Sequence, residues 1–370
     1  MVKRKDRILL KPENLKPSSN RFEIIGVLNP GAARLKNGKI ILYVRVIEKL
    51  KKFHDDKYYY SPRFVGKDKF KIKLDKFKKS SVVGAGDLDF HFKDETKRLA
   101  FISHLRRIYL DKTGANILKV EQRPGFFGTN EDAELGVEDP RITKIGNKYY
   151  MTYVGLSRSE NISTYLAESD DCINWKRKGI IFGEQDKDVV LFPEKVMGKY
   201  IAYDRPEGNF EFSVPHVWIA FSKDLIHWGE LDGMSLSKRK KEFSRSGAGP
   251  PPIKTDKGWL LIFHGVSKIS KHNFVDDFKK IFGVKVKDEH DTYAVWAALF
   301  DLKNPKKLIA RSNHPIMIPN TKYKSFEGKN VIFPTGIVED GNNLLLYSGV
   351  GDTKIMVSKI KLKDIMKCLS

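Results

Sequence analysis

One unit recurs along this chain: a proline, a short apolar strand, a tight turn and a second apolar strand. In the first copy Asn29-Pro30-Gly31-Ala32-Ala33-Arg34 leads through Asn37-Gly38 to Ile40–Arg45. Asn and Gly tolerate the positive φ of a type I′ turn, so Asn-Gly between apolar runs marks a hairpin. The plan returns at Asp139-Pro140, through Gly146-Asn147 to Tyr149–Tyr153, and at Phe192-Pro193, through Gly198 to Tyr200–Tyr203. It returns again at Gly249–Pro252 and Ile253, through Asp256-Lys257-Gly258 to Trp259–His264, and at Phe333-Pro334, through Asp340–Asn343 to Leu344–Tyr347. Two copies are followed by the pattern A-x-S-x-D-x-I-x-W, at Ala167–Trp175 and Ala220–Trp228. That pattern reads as a third strand, a Ser/Asp turn and an edge strand.

Four-stranded units repeated five times predict an all-β chain folded as a five-bladed β-propeller. A β-sandwich also gives many short strands with turns, but the repeated register favours the propeller. A propeller is one cooperative unit, so residues 1–370 are expected to form a single domain, with loop insertions near 46–138 and 266–290. Arg98–Leu118 is expected to be surface-exposed strand, and His272–His290 a partly helical insertion.

Composition narrows the class. At 370 residues and 41% hydrophobic, the chain is long and apolar enough for a large core. No run approaches the length of a membrane span, and Met1–Arg7 has no apolar stretch behind it, so neither a leader nor membrane insertion is expected. The cytosol is the expected compartment. Cys172 and Cys368, in no CxxC pair, are expected to be reduced thiols, not metal ligands. The net charge of +22 is spread along the sequence, with no helical basic stripe. It fits a lysine-rich solvated surface, with no nucleic acid expected; polyanion binding is the other reading, and either way the field would recruit phosphate.

A propeller gathers the starts of its inner strands at one channel mouth. That topology brings Arg45, Asp139, Lys195, Pro250–Pro252 and Thr335 together. Glu138-Asp139-Pro140-Arg141 offers a carboxylate beside a fixed φ, suited to protonating a leaving oxygen; the same residues equally suit a capped strand with a salt bridge. Lys195 and Arg205 suit an anion clamp, or plain surface ion pairs with Glu194 and Asp204. His264 ends a strand at the corresponding point, as a ligand or as a structural histidine. Asp352 suits sugar hydroxyls or a turn cap. No phosphate-cradling glycine loop, nucleophile elbow or zinc spacing is present. Carboxylates, aromatics (Tyr149, Tyr150, Trp218, Trp228, Trp259) and basic groups remain, which is what a carbohydrate site needs.

These motifs resemble glycoside hydrolase family 130, the five-bladed β-mannoside phosphorylases and mannosidases. Gly-Val-Glu-Asp-Pro-Arg-Ile-Thr at 136–143 looks like the family's hallmark. The match continues through Asp188–Lys195, Asp204-Arg205-Pro206, Gly247–Pro252, His264-Gly265 and Phe333–Gly336 to Gly351-Asp352-Thr353. It spans roughly residues 26–360 and is weakest over 50–120. The resemblance implies inverting attack on a β-mannoside, with Asp139 as general acid acting through a mannose hydroxyl. It implies Arg205, His264 and Lys187 as phosphate ligands and Asp352 as a sugar contact; Glu138, Arg45, Tyr203 and Lys195 are further candidate substrate contacts, Arg45 being a candidate phosphate ligand as well. No cofactor is expected; inorganic phosphate is the co-substrate, an oligosaccharide the partner, and a homo-oligomer is allowed. Asp204 stands where the family more usually has histidine. Glu194, Glu207 and Glu211 lie near enough in sequence to offer a base, so an inverting β-mannosidase is the alternative, requiring two carboxyls about 6.5–9.5 Å apart. A non-catalytic glycan-binding propeller is the third reading.

Overall fold

The computed structural model describes residues 2–207, 212–238, 242–269, 290–320, 325 and 330–369. The segment His272–His290 falls almost wholly outside the described residues, as does Glu211. Among the described residues nearly all regular structure is β-strand, apart from a short C-terminal helix, Leu362–Met366, and two 3-10 turns. Among the described residues no helix is long and apolar enough to cross a membrane.

Three four-stranded antiparallel sheets follow one another. Sheet I contains Phe22–Arg34, Ile40–Leu50, Phe101–Leu110 and Ile117–Val120. Sheet II contains Gly136–Ile145, Lys148–Leu156, Ile162–Ser169 and Lys176–Phe182. Sheet III contains Asp186–Leu191, Tyr200–Pro206, Trp218–Ser222 and Trp228–Gly233. Two further groups are joined into one sheet by a short parallel pairing, Thr292 with Asn330 and Tyr293 with Val331. Group IV is built on Gly258–Ile269 and His290–Phe300. Group V comprises Asn330–Asp340, Asn343–Val350 and Lys354–Lys361, with the N-terminal Arg4–Leu10 as its outermost strand.

The inner strands are apolar on both faces because each is covered on both sides. Alternation sends successive side chains to opposite neighbours. Ile40, Leu42 and Val44 pack towards group V, with Leu345 and Tyr347, while Ile41 and Tyr43 pack towards sheet II, with Ile142 and Met151. Comparable clusters lie between II and III, III and IV, and IV and V.

The Ser/Asp turns form as the sequence predicts. Asp171 Oδ1 accepts the Ile173 and Asn174 amides, both at 2.8 Å, and Asp224 Oδ1 does the same for Ile226 and His227. Asp301 makes a third such turn with Lys303 and Asn304, without the flanking Ser and Trp that would have revealed it.

Two expectations need correction. Arg98–Leu118 is not surface strand: Ile102, Leu105, Ile108 and Leu110 are buried in the third strand of sheet I. Within 46–138, a hairpin (Tyr58–Phe64, Ile72–Lys78) and a three-stranded sheet (Val82–Ala85, Asp89–Phe92, Lys97–Leu99) are inserted between the second and third strands of sheet I. Finally, Pro193 does not stand where Pro140 stands. The break in register falls between Glu138 and Arg141 in sheet II and between Lys187 and Val190 in sheet III, so Asp188 is the counterpart of Asp139. Pro193 lies past the strand's end, near the turn closed by the Val196–Lys199 bridge.

Candidate active site

Three first strands carry a bulge at the same place, and each bulge holds a short polar residue at positive φ: Asn29 at 48°, Asp139 at 48° and Asp188 at 56°. Asn and Asp tolerate this left-handed conformation better than other non-glycine residues. A bulge re-aims its side chain out of the strand's alternation. Here it turns all three residues into one site.

The first half of the site is acidic. Asp139 Oδ1 accepts a hydrogen bond from Asn29 Nδ2 at 2.9 Å and from Arg45 Nη1 at 3.0 Å. Both donors take the same oxygen, Oδ1. Arg45 Nη2 pairs with Glu138, whose Oε1 also accepts from Ser103 Oγ at 3.3 Å. Burial raises the Glu138 carboxyl above its ordinary range; Arg45 opposes the rise and the neighbouring Asp139 adds to it. Asp352, at the turn between the last two strands of group V, acts electrostatically on Arg45.

The second half is a cluster of cationic side chains around Asp188 and Glu207. Asp188 is buried and accepts from Arg141 Nη2 and Arg205 Nε, both at 2.7 Å. Burial disfavours its charge, yet Arg205, Arg141 and His264 hold it well below the usual carboxylate range. Arg205 Nη1 reaches Glu207, which also accepts from Arg245 Nη1 at 3.0 Å and lies 3.7 Å from Lys187 Nζ. His264 is fully buried, 3.6 Å from Asp188, and neither ring nitrogen has a hydrogen-bond partner among the described residues. Burial pushes its pKa down to about 3, so the imidazole is neutral at ordinary pH. Gly247 lets these groups meet: a Cβ there would lie 2.3 Å from Asp188 Oδ2 and 2.6 Å from His264 Cε1.

Arg141 joins the halves. Its Nη2 holds Asp188, its Nη1 donates to the Asp139 carbonyl at 3.3 Å, and its Nε donates to the Gly249 carbonyl at 3.0 Å.

The structure brings Asp139, Glu138, Arg45 and Asp352 into one half, and Arg205, His264 and Lys187 into the other. It does not bring in Lys195 or Tyr203. Lys195 is exposed at the far end of sheet III, its Nζ over the Tyr200 ring. Its misplacement follows from matching Pro193 to Pro140. Tyr203 is sealed in the core and donates to the Pro305 carbonyl at 2.9 Å. Two residues along the strand from Arg205, its ring instead packs against Phe192 and Phe300. Glu194 is also remote from the clamp, paired with Lys254 at 2.5 Å. Sequence reasoning missed Asn29, Asp188 and Arg245 as members of the site. The signal for the first two was present: a short polar residue ahead of each apolar run, as in Asn29-Pro30, Asp139-Pro140 and Asp188-Val189.

A profile of glycoside hydrolase family 130, described as beta-1,4-mannooligosaccharide phosphorylase, matches residues 91–370. The chain belongs to this family. Relatives within family 130 include a beta-1,2-mannobiose phosphorylase of Listeria innocua, 31% identical over 97% of this chain and 95% of that protein. A 1,2-beta-oligomannan phosphorylase of Thermoanaerobacter sp. is 35% identical over 69% of this chain and 78% of its own length. The solved structure of the Listeria innocua phosphorylase with beta-1,2-mannobiose superposes with a TM-score of 0.79 at 28% identity, covering 97% of this chain and 96% of that one. The family-130 profile includes both halves of the site except Asn29 and Arg45, which come from sheet I.

Proposed function

We propose that this protein is an inverting β-mannoside phosphorylase, converting a β-linked mannoside and phosphate to α-mannose 1-phosphate and a shortened acceptor. The observation that carries this reading is Arg141, which ties Asp139, through its carbonyl, to a cluster of Arg205, Arg245, Lys187 and His264. Phosphate is already a nucleophile, so the site needs one acid and an anion clamp. Asp139 is the acid, with Oδ1 pinned by Asn29 and Arg45 and Oδ2 left to deliver the proton to the leaving oxygen. The guanidinium forks and the lysine hold phosphate oxygens, and neutral His264 contributes a single N–H. Glu138, Arg45 and Asp352 flank the sugar. The relatives named for β-1,2-linked substrates support a β-1,2-mannoside.

Hydrolysis needs a base to activate water. Burial raises Glu207, but Arg205, Lys187 and Arg245 outweigh it and hold the carboxylate below its ordinary range; a carboxylate so stabilised is a weak base.

The fold belonging to this reading is a single-domain, five-bladed propeller, with sheets I to III and groups IV and V as blades. Its support is that the five clusters form a cycle, I against II, II against III, III against IV, IV against V and V against I. The N-terminal strand completes group V, joining the chain's two ends. A cytosolic location accords with two unpaired thiols.

Incubation with β-1,2- and β-1,4-mannobiose, with and without phosphate, tests the reading. Expected is α-mannose 1-phosphate plus mannose, formed from the β-1,2 isomer only when phosphate is present. Equal turnover without phosphate, releasing free mannose alone, would replace phosphorolysis with hydrolysis. Asp139→Asn is expected to lower kcat by about 10²–10⁴ with an unchanged melting temperature.

A further inference from the structure

We propose that Glu207 is a built-in occupant of the phosphate position: its carboxylate sits on Arg205, Arg245 and Lys187 when the site is empty, and incoming phosphate takes its place. The inference rests on the phosphorylase reading and concerns how the substrate enters.

Three cations from three strands meet on this one carboxylate. Lys187 and Arg205 face each other in register within sheet III, and Arg245 begins a short strand, Arg245–Ala248, paired with Gly258–Ile269 of group IV. Arg205 Nε is committed to Asp188, whereas its Nη1 points to Glu207. Displacing Glu207 therefore frees one arm of the guanidinium fork without disturbing the other. Carboxylate and phosphate present the same kind of charged oxygen acceptor, so donors arranged for one suit the other. Without any anion, three like charges would repel one another across a confined site.

Only the side chain has to move. The Glu207 backbone N–H is held by the Gln185 carbonyl at 3.0 Å, which anchors the residue at the end of its strand. Exposure rises outward from Arg205 through Glu207 to Lys187 and Arg245, with side chains 7%, 16%, 30% and 40% exposed. Glu207 thus sits at the boundary between the sealed clamp and solvent, where a rotamer change carries its carboxylate out. The consequence is competition: each phosphate must break charge-assisted contacts already made, which weakens its apparent affinity.

Glu207→Gln tests this, because it keeps the side chain's shape and removes the competing charge. The phosphate KM is expected to fall about tenfold, the worth of one charge-assisted contact, with the mannoside KM unaltered. An unchanged or raised phosphate KM would overturn the proposal, since a residue that merely positions the cations is missed when lost. Crystals of the unaltered protein soaked in phosphate give a second readout that does not depend on the variant folding. Glu207 swung off both arginines, with phosphate oxygens in its place, supports the proposal; Glu207 still seated beside a phosphate bound elsewhere overturns it. Turnover of the parent protein independent of phosphate would sink the phosphorylase reading and this inference together. Phosphate-dependent turnover in the parent, with no gain in the Gln variant, would sink this inference alone.

Discussion

Two buried clusters in this molecule use the same parts to different ends. In sheet I, Glu48 accepts from Arg106 at 2.6 Å, His104 at 2.9 Å, and the Ser18 amide and hydroxyl, both at 2.8 Å. In the candidate active site, Asp188 accepts from Arg141 and Arg205, with His264 alongside. Each is one carboxylate between arginine and histidine. Burial works to raise the Glu48 pKa, but its hydrogen bonds, His104's foremost, bring it to about 2. Asp188 is likewise depressed. The clusters differ in their surroundings. The side chains of Glu48, His104 and Arg106 are fully sealed, and the bonds from Ser18 and from Arg106 to the Lys16 carbonyl staple the N-terminal segment to sheet I. The Asp188 cluster instead opens through Arg205 and Glu207 to Lys187 and Arg245. The same residue types are a staple where they are closed off, and in the Asp188 cluster a chain of charges leads from them to solvent.

Removing each carboxylate is the strongest way to break this comparison. Glu48→Ala and Asp188→Ala each strand a buried arginine, and each is expected to cost about 3–5 kcal/mol in urea unfolding. Only Asp188→Ala is expected to raise the phosphate KM of the folded fraction; a comparable rise in Glu48→Ala would show the two clusters to be one system. Next in size is Gly247→Ala. Its methyl would meet Asp188, His264 and Arg205 Nε, the last at 2.9 Å. A loss of about 1–3 kcal/mol is expected, with weakened phosphate binding by calorimetry.

A third buried pair has no cation between its members. Asp186 and Asp204 share a hydrogen bond, and burial, then the neighbouring Asp204 charge, raises the Asp186 carboxyl so that it keeps its proton. The unfolded chain releases that proton above about pH 4. The folded state therefore binds more protons than the unfolded state above this point. Its stabilisation is complete at lower pH and is lost as pH rises through the raised pKa, at a slope of up to about 1.4 kcal/mol per unit. Asp186→Asn, which keeps a donor towards Asp204, is expected to flatten that alkaline slope in urea melts taken across pH. The smallest effect belongs to Lys195→Ala. With Nζ 4.3 Å from the Tyr200 ring centroid at an exposed site, it is expected to cost no more than about 0.5–1 kcal/mol and to leave kcat/KM for both substrates unchanged.

Much of the site was legible in the chain. Asp139 and Arg205 stood beside prolines in a repeat that announced itself, and the family's motifs followed in order; His264, expected at a strand end, lies inside Gly258–Ile269. The failures share one cause. Proline was used to set the frame of each repeat, yet proline is not what the fold repeats. The repeated element is a bulge with a left-handed residue, filled by Asn29, Asp139 and Asp188, and followed by proline in only the first two. Matching Pro193 to Pro140 displaced the frame by about four residues, moving Lys195 into the site and leaving Asp188 out.

The sequence by itself determined the strands, the hairpin turns and the family, because those depend on alternation, turn chemistry and ordered motifs written locally. Only the tertiary structure decided which charges meet. Arg45, Asn29 and Asp139 are about a hundred residues apart in pairing, and Arg141 reaches Asp188 and Gly249 across three sheets. Such partners are chosen by bulge geometry and by the absence of a Cβ at Gly247, where a small change in backbone direction moves a charged group from solvent into the clamp.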